Sequence, residues 1–264
     1  MSIGVFYDYG FIDSLVAAAT VGAFYNKNPT IHPFLSNCSF IPIIPSSKDD
    51  NGINVSRYWM NRFSNPNPDI LIIISSYIGY KTIPYIRQIL DSRKDYSTYF
   101  ITNTEEYSLP EELRPTSEYR SEKSNNIRVF DDPKRSLTWK TYNALFGSKT
   151  KKPQIIKDID KYVSIMRGEA KIEDNKELIR KMDYILTFLR YRQELIYDPN
   201  NTVWRAMLRT NNRFRIAPDT AYQYMLDFGK YMDSLPEEAR AFPMSIEEHM
   251  LYKAGSDYLI RNEE

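Results

Sequence analysis

Short, uninterrupted apolar runs alternate with stretches of helical spacing through the first half of this chain. Ile3-Gly4-Val5-Phe6-Tyr7 opens it and reads as a short buried strand. Gly10 permits a tight turn, Asp13 or Ser14 can cap a helix, and small apolar residues from Leu15 to Phe24 form its body. Phe40 to Ile44 is a second short run, and Pro42 within it predicts an edge or irregular strand. Asp69-Ile70-Leu71-Ile72-Ile73-Ile74-Ser75 is the clearest strand. Its continuous apolar character predicts burial on both faces, as in a parallel sheet. Tyr96 to Thr102 predicts the next strand and Val129-Phe130 a last short one. Val55 to Phe63 and Ile83 to Asp91 read as helices, and Asn65-Pro66-Asn67-Pro68 stops the first. The polar stretch 105–126 reads as a surface loop.

Beyond Ser136 the pattern turns helical. A helix is predicted from Ser136 to Phe146, ended by Gly147, followed by helices at about 153–166, 174–196, 202–211, 218–233 and 245–260. The expected class is therefore α/β. A parallel sheet covered by helices would occupy residues 1–150, and a mainly helical region residues 151–264.

Composition narrows the function classes. The 35 basic and 34 acidic residues leave no global field to draw the chain onto nucleic acid or a membrane. Cys38 is the only cysteine, so an intrachain disulfide and a cysteine zinc site are excluded. A reducing, cytoplasmic setting is the expectation. No apolar run approaches the roughly 20 residues of a membrane-spanning helix. The start has no basic segment before its apolar stretch, which Asp8 and Asp13 interrupt, so a signal peptide is not expected. The 21 tyrosines suit interfaces, and codon bias of an AT-rich genome explains them equally well. The phosphate loop of nucleotide-binding proteins, the dinucleotide-binding glycine fingerprint and the serine nucleophile elbow are all absent.

Three stretches, in order, carry a resemblance to a known family. The opening segment through Asp8, Asp13 and Ser14 resembles the first motif of the DHH phosphoesterases, most nearly their compact phage and archaeal type. The family's His falls on Asp8, its Asp on Asp13 and the following Gly on Ser14, and an additional Asp of the family falls on Phe11. The strand ending at Ser75 resembles the family's second motif, whose metal-binding Asp falls on Ser75. Tyr99 to Thr104 resembles the third, and the Asp-His-His itself falls on Thr102, Asn103 and Thr104. Arg135 to Tyr142 is similar to the family's Trp-bearing helix, and Ile156 to Tyr162 to its Asp-x-Asp segment, with Asp158 and Asp160. The resemblance spans roughly residues 1–165 and implies a DHH-like N-terminal domain.

The same resemblance implies divalent metals, usually manganese, that generate hydroxide and clamp a phosphate. The chain holds two histidines, His32 and His249, and neither lies on a motif. Thr, Asn and Ser are poor ligands for a hard dication. The Gly-Gly motif of many relatives' C-terminal substrate domain is missing as well. No metal or other cofactor is therefore expected, and the leading expectation is a catalytically inactive, possibly phage-encoded binding or assembly module in the host cytoplasm. Its partner would be a protein or a second copy of itself. One alternative is a diverged phosphodiesterase acting on nucleotides or short oligonucleotides with Mn²⁺ or Mg²⁺, using Asp8, Asp13, Asp158 and Asp160, of which Asp8 and Asp13 are the weak metal candidates. The plainer reading makes Asp13 a helix cap, Asp8 a turn residue, and Asp158 and Asp160 solvated helix residues.

A second alternative is nucleic-acid binding through Arg190, Arg192, Trp204, Arg205, Arg209, Arg213, Phe214 and Arg215. Arginines interleaved with aromatics grip phosphates and stack on unpaired bases. The same composition marks protein interfaces, and also an ordinary solvated face. Cys38 has no catalytic partner in a recognisable pattern, and His32 and His249 read as surface residues.

Overall fold

Apolar strands of this kind bury both faces only inside a parallel sheet, and that is where they sit. The structure is a computed structural model that describes residues 3–8, 11–25, 38–43, 69–75, 97–102, 127–130, 132, 134–208 and 216–236. Five strands, β1 (Ile3–Asp8), β2 (Cys38–Ile43), β3 (Ile70–Ser75), β4 (Ser97–Thr102) and β5 (Ile127–Phe130), form one sheet in the order β2-β1-β3-β4-β5. Every pairing is parallel. All six residues of β1 are buried, as are Leu71 to Ser75 of β3. Pro42 lies on β2, the edge strand, where a missing N–H donor is tolerated.

Helix α1 (Ile12–Tyr25) follows β1 directly. Its residues from Asp13 to Ala23 are all buried, which its alanines and small side chains permit. α2 (Leu137–Phe146) begins at Ser136, whose hydroxyl accepts from Trp139 N–H. It ends at Gly147, whose φ of 89° is open to glycine at little cost. The helical region continues as α3 (Gln154–Met166), α4 (Lys176–Tyr191), α5 (Glu194–Tyr197), α6 (Thr202–Leu208) and α7 (Pro218–Ser234). One core runs through both parts and includes Ile3 and Tyr7 as well as Trp204 and Leu226. No helix of the described residues is long and apolar enough to cross a membrane.

The single helix expected at 174–196 is three pieces. A 3₁₀ turn at Glu173–Asn175 precedes α4, and the chain leaves helical geometry at Arg192 (φ −121°, ψ 56°) before α5. The Tyr7 hydroxyl donates to the Ile196 carbonyl at 2.7 Å, and the Trp204 indole donates to the Leu195 carbonyl at 2.7 Å. Both carbonyls fall in the last turn of the expected helix, where no N–H of that helix reaches them, so these two bonds supply their partners. The helices expected at 55–63, 83–91 and 245–260 and the loop at 105–126 lie outside the described residues.

α4 and α7 cross closely at Gly229. A Cβ built there would lie 2.1 Å from the Tyr184 carbonyl oxygen. Phe228 meets Phe188 edge-on beside this contact, with ring centroids 5.4 Å apart. Gly229→Ala should therefore force the helices apart and cost about 3 kcal/mol, read as a lower urea midpoint at unchanged slope. Lys230→Ala, on the exposed side of α7, should stay within about 0.5 kcal/mol of wild type. Equal stability of the two variants would refute the close crossing.

Candidate functional site

In an open parallel sheet, ligands bind outside the carboxyl ends of the strands where the strand order reverses. Here the order reverses between β1 and β3, and their last residues are Asp8 and Ser75. Both are buried. The Ser75 hydroxyl donates to Asp8 Oδ1 at 2.5 Å. Ser14 closes the gap behind them: Asp8 N–H donates to its Oγ at 2.7 Å, and that hydroxyl donates to the Ile74 carbonyl at 2.9 Å. A glycine at position 14 could make neither bond. Asp8 is thus the buried end of a strand and not a turn residue.

Asp13 does cap a helix, but not its own. It sits in the first turn of α1, and its carboxylate reaches across to α2. Oδ2 accepts Leu137 N–H at 2.9 Å and Oδ1 accepts Thr138 N–H at 2.8 Å. The Thr138 hydroxyl donates to the Asp13 carbonyl at 2.6 Å. Burial pushes this carboxyl above the usual carboxylate range, against the pull of the two N–H groups and of Lys140.

Asp160, in α3, completes the same helix end. Its Oδ1 accepts Ser136 N–H at 2.8 Å, and its Oδ2 pairs with Arg135 at 2.8 Å. Asp158 faces elsewhere. It is buried, and it accepts from the Gln154 side chain at 2.8 Å and from the Tyr222 hydroxyl of α7 at 3.0 Å. Its burial contradicts the expected solvated position, because the α3 face that carries it is the one α7 covers. Burial, and then Asp158 itself, push the Tyr222 hydroxyl up.

The structure therefore brings Asp13 and Asp160 to one helix N-terminus and leaves Asp158 on another contact. Among the described residues no group of three or more His, Cys, Asp or Glu side chains is placed to hold a metal. Cys38 is half-buried, and burial pushes its thiol up to about 12, which leaves almost no thiolate near neutral pH.

The described members of the arginine-aromatic stretch do not form one surface. Trp204 is 0% exposed and belongs to the core, so it cannot stack on a base. Arg192 is paired with Glu194. Arg190 is exposed, and Arg205 is half-buried with its Nε lacking a hydrogen-bond partner. Arg209, Arg213, Phe214 and Arg215 lie outside the described residues, as do His32, His249, Asn103 and Thr104.

A group of cations escaped the sequence reading. Arg135 Cζ and Lys152 Nζ lie 4.5 and 4.4 Å from the centre of the Trp139 ring. The signal was present: Gly147-Ser148-Lys149-Thr150-Lys151-Lys152 places three lysines after the helix-ending glycine.

Asp13→Asn should cost about 1–3 kcal/mol, because an amide offers one acceptor where two N–H groups need one each. The pH dependence has a defined sign. The folded state holds the Asp13 proton more tightly than the unfolded chain, so its contribution is full below the ordinary value of 3.8 and declines as pH rises through the folded value. The stability difference between wild type and Asp13→Asn should narrow as pH rises through that window. A difference that widens would show that the N–H groups outweigh burial. Cys38 should react with a thiol reagent at pH 8 far more slowly in the native than in the urea-unfolded chain, and equal rates would place it at the surface.

No protein-family model, curated protein or solved structure matches this chain.

Proposed function

We propose that this protein is a catalytically inactive, DHH-phosphoesterase-like scaffold that serves as a binding or assembly module. One observation carries the reading: each carboxylate that a metal mechanism would need already accepts hydrogen bonds from the protein. Asp8 is held by Ser75, Asp13 by the α2 backbone, Asp158 by Gln154 and Tyr222, and Asp160 by Ser136 and Arg135. A dication at Asp13 would have to break two buried N–H bonds and orphan their donors, each at about 1–3 kcal/mol. The resemblance supplies the family, and the Ser and Thr at its ligand positions agree with lost chemistry. The phosphodiesterase alternative draws on four carboxylates, and all four are divided among three structural contacts: Asp8 with Ser75, Asp13 and Asp160 at the start of α2, and Asp158 with Gln154 and Tyr222.

The assembly half of the reading is supported by α7. Tyr224, Phe228 and Tyr231 recur at helical spacing along it, with Tyr224 65% and Tyr231 61% exposed. Aromatic residues presented in this way favour a protein partner or a second copy.

Thermal unfolding in EDTA, then in millimolar Mn²⁺ or Mg²⁺, tests the loss of metal chemistry. A metal bound only by the folded state at a hundred times its Kd would add about 2.7 kcal/mol and raise the Tm by several degrees. The expected result is no shift. A metal-dependent rise that Asp8→Asn abolishes would overturn the proposal and restore the phosphodiesterase reading.

A further inference from the structure

Helix α7 carries a second apolar seam on the side turned away from the core. Its inner side is fixed. Tyr222, Met225, Leu226 and Gly229 are buried there, with Gly229 facing the Tyr184 carbonyl of α4 and Tyr222 bonded to Asp158 of α3. On the outer side Ala221, Tyr224, Phe228 and Tyr231 follow one another at alternating intervals of three and four residues, and Leu235 just past the helix end continues the pattern. That spacing is the one by which a helix meets another helix along its length. A surface helix needs only one apolar stripe, the inner one. The outer rings are nevertheless accessible: Tyr224 is 65% exposed, Phe228 38% and Tyr231 61%. Phe228 is held in place by edge-on contacts with Phe188 and Tyr191, at centroid separations of 5.4 and 6.1 Å.

Charge identifies the occupant. Asp227 and Lys230 are exposed on the polar flank beside the seam, and neither makes an ion pair among the described residues. Asp227 accepts from the Gln223 side chain at 2.9 Å, which leaves it turned along that flank. An antiparallel copy of α7, related by a two-fold axis between Asp227 and Phe228, sets Tyr224 level with the partner's Tyr231. Both polar flanks then lie on one side of the pair, and each Asp227 comes within about 3 Å, along the helix axis, of the partner's Lys230. A two-fold interface repeats every contact, so one opposite-charge pair becomes two. A parallel pair would set the polar flank against the partner's Met225 and Met232 instead. We infer that the outer face of α7 is the docking surface for the same face of a second copy of this chain, packed antiparallel. The inference rests on the assembly half of the proposed function and makes no use of the lost chemistry. Area sets the strength. The three rings offer on the order of 300 Å² per copy, against roughly 800 Å² per partner in stable complexes. Self-association is therefore weak and depends on protein concentration.

Sedimentation velocity of the full chain in EDTA, from about 2 to about 200 µM, reads the association directly, because mass action makes a weak dimer concentration-dependent. A rise from the monomer value towards the dimer value is expected. Tyr224→Glu with Tyr231→Glu, both at exposed positions, should hold the chain at the monomer value throughout, with an unchanged unfolding temperature at the lowest concentration. Asp227→Lys should weaken the dimer about tenfold by gathering four like charges, and Lys230→Asp should do the same. The double reversal, Asp227→Lys with Lys230→Asp, should restore wild-type association, which non-specific adhesion of exposed rings would not do. These charge variants keep the inference testable if the two glutamates disturb folding. A chain that stays monomeric at the highest concentration would overturn the inference and assign the seam to a different protein. The inactive-scaffold reading would survive that result, since it falls only to a metal-dependent rise in Tm. A dimer indifferent to Tyr224→Glu with Tyr231→Glu, or single charge variants that the double reversal fails to rescue, would also overturn the antiparallel pair.

Discussion

The N-terminus of α2 is the point on which the two halves of the chain depend. A helix begins with four N–H groups that its own carbonyls cannot reach. Here each of the first donors has a different provision. Asp160 takes Ser136, Asp13 takes Leu137 and Thr138, and the Ser136 hydroxyl takes Trp139. Asp13 comes from α1, immediately after the first strand, and Asp160 comes from α3 in the helical region. One helix end therefore ties the sheet layer to the helices of the second half, in a setting where the helix dipole favours both negative charges.

On the proposed reading, that use explains how a carboxylate can persist after a chemistry has gone. A carboxylate in a metal site answers a positive charge and fixed geometry. A helix N-terminus offers a weaker positive charge and equally fixed donors. On the proposed reading, Asp13 has exchanged one for the other. Ser14 and Ser75 have done something similar, since they turn the mouth between β1 and β3 into a closed set of hydrogen bonds through Asp8 and Ile74. A mouth stapled in this way is a stabilising element.

The regular parts were legible because they rest on local patterns. The continuous Ile run implied a doubly buried strand, Pro42 implied an edge, and Ser136 with Gly147 bounded α2. What escaped depends on contacts far apart in sequence. The bond from Tyr7 to the Ile196 carbonyl, which anchors the piece after the break at Arg192, joins residues 189 apart. Asp158 looked like a solvated helix residue because nothing nearby announces Tyr222. Trp204 looked like a surface aromatic among arginines, and its helix turns it inward. A local window specifies residue types, whereas burial of a polar group is decided by the element that packs over it.

The balance of charge near α2 differs from that of a metal site. A dication needs carboxylates in excess over cations, with oxygens to spare. Near α2, Asp13 and Asp160 are engaged by backbone donors and Arg135, and no ion pair joins Lys152 to a carboxylate among the described residues. The chain-wide charge of +1 conceals this local arrangement of the described residues. A carboxylate that caps a helix has fewer oxygens left for a nearby cation, as Asp160 has beside Arg135 and Lys152. Helix ends that take up carboxylates in this way shift the local balance of charge without changing the overall charge of the protein.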